Sequence, residues 1–482
     1  MIRTGEQYVE GLRDGRKVYQ NGKLIEDLPS YAPFRAGIER SASEYHVATQ
    51  PEWRELFNEK DENGEEFSFA YNVPTTPEHL QRRREITRTL GQLNAGGSKL
   101  TGVDGLNGVA YAASTMDKAL GTDYGKRVEA FRDFCKSTDP GICAAVSDPK
   151  GDRRLHAANP NQTHPDFYVR IVDRQKDGIV IRGAKVHIST SHISNELVVL
   201  PSRNHPEDGK DYALACAVSC NTEGVKFLTT DPLITGGGGG HPLIVFDDVF
   251  VPNERVFLEG QWQFSRLFAT SFARYHRLTA ATYKHASLQV LAGQARLIAE
   301  HNGLTHATRI QDMLGWLAMY AEVTEALGKA AALGGTVDPE TGFAQPNHVY
   351  TNCAKFWFAD NYHQAIKYLQ DITGGIAGTM PSQEDWDNDE TRPYIEKYLG
   401  GVKGYPTEER FKLLQAINRH CSAFGGILTI HAEGSLAAQK MTLFQQADWE
   451  LYKAAARHAM KMPTDHPAFK DRPTEPPWQF PK

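Results

Sequence analysis

Cysteine is scarce: six occur in 482 residues, at positions 135, 143, 216, 220, 353 and 421, and no two form a Cys-x-x-Cys pair. That usage argues against a disulfide framework and for reduced, buried thiols in a cytosolic chain. Only Cys216 and Cys220 lie close, in an apolar strand-like run where no further metal ligand is in reach. No run of about 18 apolar residues occurs, so nothing is expected to span a bilayer. The first fourteen residues carry charges throughout and lack the apolar centre of a secretory signal, so a cytoplasmic location is expected. A basic excess is missing as well. With 53 Lys and Arg against 59 Asp and Glu, the net charge of -6 gives no support for a nucleic-acid partner. Internal repeats are absent. What remains, 40% hydrophobic and 23% charged residues, is the composition of a globular protein large enough for two or three domains.

The most informative stretch runs from Ser147 to Pro201. It opens with Ser147-Asp148-Pro149-Lys150-Gly151-Asp152-Arg153 and passes through two strand-like runs joined at Asp177-Gly178, a pair that supplies the positive φ angles of a hairpin turn. There follow His187-Ile188-Ser189-Thr190-Ser191-His192-Ile193-Ser194-Asn195, crowded with short hydrogen-bonding side chains. In a dry interior such groups need partners, which a polar ligand would supply; a solvated loop capping its own backbone would serve equally.

Around this stretch the texture changes twice. Up to about residue 140 the periodicity is helical, at Gly5 to Arg13, Pro33 to Phe57, Pro77 to Leu93 and Arg127 to Cys135, with a small hairpin at Asn21-Gly22 and a flexible glycine-rich loop from Asn94 to Gly105. Arg82, Arg83 and Arg84 read as a solvated helix face. From Ala144 to about Leu258 short strands recur with regular turn signals, the rhythm of a β-barrel or sandwich. Gly236 to Gly240 lacks the residues of a phosphate loop and the spacing of a dinucleotide fingerprint, so a turn or a close approach to ligand remains. Beyond Phe264 come long amphipathic helices, near 268 to 300, 305 to 333, 347 to 372, 407 to 425 and 436 to 460, which point to a four-helix-type bundle. The expected architecture is α+β and multidomain: a helical N-terminal domain (1–143), a β-barrel middle domain (144–264) and a helical bundle with an extended tail (265–482).

Several motifs resemble the 4-hydroxyphenylacetate 3-hydroxylase family, within the acyl-CoA dehydrogenase-like fold. They are Ile2-Arg3-Thr4-Gly5-x-x-Tyr8, Ser147-Asp148-Pro149 with Arg153, Asp177 to Ala184, Val245 to Pro252, Tyr275-His276-Arg277 and Gly434-Ser435. The resemblance implies one of two chemistries. One belongs to oxygenase components that take reduced FAD or FMN from a separate flavin reductase and hydroxylate phenols through a flavin C4a-hydroperoxide. The other belongs to a 4-hydroxybutyryl-CoA dehydratase that holds FAD beside a [4Fe-4S] cluster. The wording of the chain is more similar to the second, yet its cluster ligands are missing: the loop matching Gly97 to Thr101 has no cysteine, and Tyr283 stands where the partner thiolate of His276 belongs. One imidazole cannot hold four irons, so no iron–sulfur cluster is expected. One carboxylate of that site is matched by Pro242. The phenol-binding pattern is altered too, its positions falling on Thr101, Gly105 and Ala144.

The flavin side is better matched. By position, Lys150, Gly151, Asp152, Arg153 and His156 lie where the family's loop contacts the flavin, Ser189 and Thr190 lie beside the isoalloxazine, and Gly434 and Ser435 match a pyrophosphate contact that a neighbouring subunit of a homotetramer can supply. His276 and Lys284, two turns apart on one helix, are the candidates for chemistry, with Tyr283 between them. The expected activity is a reduced-flavin-dependent monooxygenase acting with O2 on an aromatic or heteroaromatic small molecule. A cluster-free lyase or isomerase on a CoA or other thioester, and a flavin-binding protein without turnover, are the alternatives.

Overall fold

A computed structural model describes residues 2–97, 99–231, 240–421, 430 and 432–473. The mixed helix-and-sheet organisation is as expected, and no helix among the described residues is long and apolar enough to cross a membrane. Most of the glycine run at 236–240 lies outside the described residues.

The strands pair into two larger sheets. The six-stranded sheet runs in the order Lys23–Ile25, Lys17–Gln20, Val225–Leu228, Leu243–Pro252, Gly178–Lys185, Arg170–Arg174. The hairpin around Asn21-Gly22 thus extends this sheet from the N-terminal side, through the parallel pairing of Lys17–Gln20 with Val225–Leu228. The four-stranded sheet runs Val256–Glu259, Leu214–Ser219, Glu196–Val199, Ile142–Ala145. The inner strand Glu196–Val199 and the edge strand Ile142–Ala145 are buried at every position, so neither shows the alternation of a half-exposed strand. One apolar core joins the N-terminal helices to both sheets, including Tyr8, Tyr45, Val103, Leu197 and Phe246. A second fills the helical bundle, where Leu291, Ile298, Tyr320, Phe358 and Leu414 meet.

The helix Leu100–Leu120 departs from the sequence reading, which extended a flexible loop to Gly105. Its glycines suit close packing on two sides. A Cβ at Gly102 would run into the Ile142 backbone and one at Gly108 into the backbone of Phe272. The helix therefore lies on the strand Ile142–Ala145 and on the long helix Ser265–His301, and this tertiary contact overrides glycine's low helix propensity. The arginines at 82–84 also depart from expectation. Arg83 and Arg84 are buried and paired with Asp104 and Glu325, while Arg82 lies over the Phe69 ring at 3.8 Å. The helix read from 436 to 460 is two helices, Leu436–Gln446 and Trp449–Ala459, because Asp448 caps the second by accepting from the Leu451 amide at 2.9 Å.

Gly108→Ala is expected to cost about 1–3 kcal/mol by overpacking, read as a lower urea midpoint at unchanged m-value, whereas Gly293→Ala, on the helix Ser265–His301 with open space around it, is expected to be neutral or slightly stabilising.

Candidate active site

The side chain that organises the site is Asp104, fully buried on the helix Leu100–Leu120. Its Oδ1 accepts from Arg83 Nη2 at 2.8 Å and from Thr279 Oγ1 at 3.0 Å, and its Oδ2 lies 3.1 Å from His276 Nδ1. A carboxylate at Nδ1 keeps a proton on that nitrogen and leaves Nε2 of the neutral ring as the acceptor. The imidazole is further held by Phe272, stacked on it at 4.9 Å between centroids, one turn earlier on the same helix.

Nε2 faces Glu433, whose Oε1 is 4.0 Å away. Glu433 adopts the left-handed conformation with φ 56°, a strained choice for a residue with a Cβ, and this turns its carboxylate inward. Oε1 accepts from the Tyr283 hydroxyl and Oε2 from Lys284 Nζ. Lys355, from the helix His348–Thr373, stands 3.9 Å from Oε2, and Arg277 Nε lies 3.5 Å from the Glu433 carbonyl. Burial alone would raise the Glu433 carboxyl, but Lys284, then His276 and Lys355, outweigh it and hold it at about 2. Burial lowers the Lys284 ammonium against the opposing pull of Glu433. The Tyr283 phenol is pushed well above its usual value by burial and by the Glu433 charge. The result is an imidazole acceptor beside an anchored carboxylate, an arrangement suited to moving one proton.

The candidates of the sequence reading fall into three places. His276, Tyr283 and Lys284 converge on Glu433. Gly434 and Ser435 follow directly: Gly434 is in the left-handed region with φ 97°, a Cβ there would lie 3.5 Å from Arg277 Nη2, and Ser435 Oγ caps the helix Leu436–Gln446. Thr101, Gly105 and Ala144 meet where the helix Leu100–Leu120 lies on the strand Ile142–Ala145. Thr101 Oγ1 is 4.0 Å from Cys143 Sγ, and a Cβ on Gly105 would sit 3.0 Å from that of Ala144.

The third place is the loop from Lys150. Lys150 and Gly151 are successive left-handed residues, φ 77° and 55°, and the loop is pinned where Asp152 and Gln162 exchange two hydrogen bonds, 3.0 and 2.9 Å. Asp152 pairs with Arg154 at 2.6 Å, which leaves the neighbouring Arg153 outside that ion pair. Lys150, half-buried, and Arg153, exposed, have no hydrogen bond or ion pair among the described residues; burial, then Arg153, lowers the Lys150 ammonium. His156 Nε2 lies 3.6 Å from Asp208, and its buried Nδ1 has no partner among the described residues. Ser189 Oγ is 2.6 Å from His241 Nδ1, and Thr190, with φ 60°, reaches the Gly97 carbonyl at 3.4 Å. Of the two histidines beside them, His187 is exposed and His192 fully buried.

Asp104, Thr279, Glu433 and Lys355 were missed, and Arg83 was assigned to solvent. Thr279 had a signal, since 276, 279 and 283 share one helix face. The others come from distant segments.

Fold and site together define a mixed helix-and-sheet protein with a buried polar centre, and comparison with known proteins gives its family. The model described as 4-hydroxyphenylacetate 3-hydroxylase N terminal matches residues 4–258, and that described as 4-hydroxyphenylacetate 3-hydroxylase C terminal matches 265–461. The chain belongs to the 4-hydroxyphenylacetate 3-hydroxylase family. It is 28% identical to 4-hydroxybutyryl-CoA dehydratase/vinylacetyl-CoA-Δ-isomerase of Clostridium aminobutyricum over 95% of this chain and 99% of that one. With the oxygenase component of 4-hydroxyphenylacetate 3-monooxygenase of Thermus thermophilus it shares 26% identity over 96% and 98%. A crystal structure of such an oxygenase component complexed with FAD superposes with a TM-score of 0.85 at 24% identity, covering 95% of this chain and 98% of that one.

Replacing Asp104 by Ala strands the Arg83 guanidinium and is expected to cost about 3–5 kcal/mol, as for other broken buried pairs, measured by urea unfolding. A second expectation concerns acid. Because the folded Glu433 value is depressed, its stabilisation is complete above the ordinary carboxylate value of 4.5 and is lost as pH falls toward about 2. Glu433→Gln should therefore flatten the fall in stability across that window.

Proposed function

We propose that this chain is the oxygenase component of a two-component flavin monooxygenase, acting on an aromatic or heteroaromatic small molecule with reduced FAD, or FMNH2, delivered by a separate flavin reductase. The observation that carries the reading is the buried Asp104–His276 pair with its acceptor nitrogen turned inward. A flavin nucleotide suits the residues of the Lys150 loop. Two cations without carboxylate partners, on a backbone bent by successive left-handed residues, match its phosphates, and the Ser189 and Thr190 hydroxyls match the ring's carbonyls and nitrogens. An iron–sulfur cluster does not suit the donors present. The Tyr283 hydroxyl, where the resemblance calls for a thiolate ligand, is engaged with Glu433.

Bound reduced flavin supplies the electrons for oxygen activation. In this reading Asp104 holds the His276 proton at Nδ1, and Nε2 takes the proton of a substrate hydroxyl or ring N–H, making the ring more electron-rich. Lys284 and Tyr283 hold Glu433 where it stabilises the imidazolium that results. The contact of Thr101, Gly105 and Ala144, helix packed on strand, carries one hydroxyl and no cation for a phenolate, so in this reading the substrate's polar group is left to His276.

A second reading, a cluster-free lyase or isomerase on a CoA or other thioester, draws on the same Lys284–Glu433 pair, placed as a C–H acid–base catalyst would be, and on the identity with the dehydratase. The matching domain plan is a middle β region 144–264, its strands in two sheets rather than the expected single barrel, between helical regions 1–143 and 265–482. A homotetramer is the matching assembly, supported by the exposed Met441, Phe444, Trp449 and Tyr452 on the last two helices.

The deciding experiment mixes protein loaded anaerobically with reduced FAD, then FMN, with oxygenated buffer. Monooxygenation predicts flavin reoxidation slower than in free solution and less hydrogen peroxide released once a substrate phenol is present, with His276→Ala abolishing that substrate effect. Deuterium uptake from D2O into a CoA thioester without oxygen would instead establish the lyase, and bound flavin inert in both assays would leave a binding protein.

A further inference from the structure

Lys355 is fully buried, yet the chemistry around it suits an amine better than an ammonium. An ammonium carries three donors, and among the described residues its Nζ donates to one acceptor, the Ile430 carbonyl at 2.9 Å. Among the described residues the only carboxylate near it, Glu433, is 3.9 Å from Nζ and already accepts from Lys284 and Tyr283. The long helix Ser265–His301 turns Lys284 and His276 toward the same carboxylate and Arg277 toward the carbonyl of the same residue, so a charged Lys355 would be a further cation beside one anion. No other ion pair reaches Lys355 among the described residues, from its own helix or from the neighbouring helix Thr308–Leu333.

We propose that Lys355 is a positioning residue that ends a proton path from His276 Nε2 through the Glu433 carboxylate to its own amine. The steps balance. The substrate X–H bond breaks as N–H forms at His276 Nε2. That bond breaks as O–H forms at Glu433 Oε1, and the carboxylic acid, its proton turned to Oε2, gives it up as the fourth bond of Lys355 Nζ forms. The reverse sequence returns the proton when product leaves. The two gaps, 4.0 and 3.9 Å, each close with a side-chain rotation of under about 1.5 Å, bringing donor and acceptor into hydrogen-bond range. Burial, then the Lys284 charge, pushes the Lys355 ammonium down to about 7, so the amine and ammonium forms are both accessible in neutral solution.

This assignment rests on His276 being the base of the site, and the test separates the two. The stability of the full chain is followed by urea unfolding between pH 6 and 10.5 for wild type, Lys355→Met and Lys355→Arg. With a depressed folded value, the unfolded chain binds the extra proton from about pH 7 up to the ordinary lysine value, so wild-type stability should climb with pH across that interval by the slope of about one proton. Lys355→Met should lose that slope. An unchanged slope in Lys355→Met, or none in wild type, overturns the proposal whatever the reaction proves to be. For the path itself, the pH profile of substrate-dependent flavin reoxidation should lose its limb near neutrality in both variants, with a tenfold or greater fall in rate. Rescue by Lys355→Arg, which keeps a cation but cannot accept a proton, would mean a structural cation and would overturn the path. A His276→Ala variant with full turnover and an intact wild-type slope would refute the base assignment and leave Lys355 without a path to end, while its amine stayed established.

Discussion

The carboxylate of Asp104 is the constraint on which the rest depends. It is fully buried and binds three groups from two other helices: the Arg83 guanidinium, the Thr279 hydroxyl and the His276 imidazole. A buried carboxylate without such partners would be far too costly to keep ionised, so the helices Pro77–Gln92, Leu100–Leu120 and Ser265–His301 must assemble together. The orientation of the imidazole is a by-product of that assembly. Structure and chemistry thus share one contact, and neither can be altered alone.

The second carboxylate, Glu433, has the opposite character. Asp104 is surrounded by donors that satisfy it, whereas Glu433 is outnumbered, with two lysines, a histidine and an arginine turned toward its carboxylate or its carbonyl. Its position depends on a left-handed backbone residue just ahead of Gly434. The crowding of basic groups makes the Glu433 end responsive to protonation, and the balanced Asp104 end holds the imidazole still.

Much of this was legible from sequence where the signal was local. The Asn21-Gly22 and Asp177-Gly178 turns, the strand rhythm after residue 144 and the long helices that follow Phe264 are patterns of short range, and they appear as read except that the last helix breaks in two at Asp448. His276 and Lys284 were recoverable because eight residues on one helix place them on one face. Asp104 was not, because its helix is rich in glycine, and those glycines read as a loop until the backbone of Ile142 and Phe272 supplies the surfaces against which they pack. Arg83 was misassigned for the same reason: its partner lies 21 residues on, in the segment taken for a loop. Glu433 and Lys355 carry no local pattern at all. Their roles arise only where the turn before Leu436 meets the helix His348–Thr373.

The glycine face of the helix Leu100–Leu120 has one further consequence. Where Gly105 meets Ala144, and Gly102 the backbone of Ile142, nothing but main chain and a methyl group separates helix from strand. The partition between sheet and bundle is therefore as thin as two polypeptide backbones permit. A variant cannot enlarge this wall by lengthening a side chain without displacing the helix and the Asp104 it carries. Change around Asp104 would have to come from the helices that supply its partners, leaving this contact as their fixed datum.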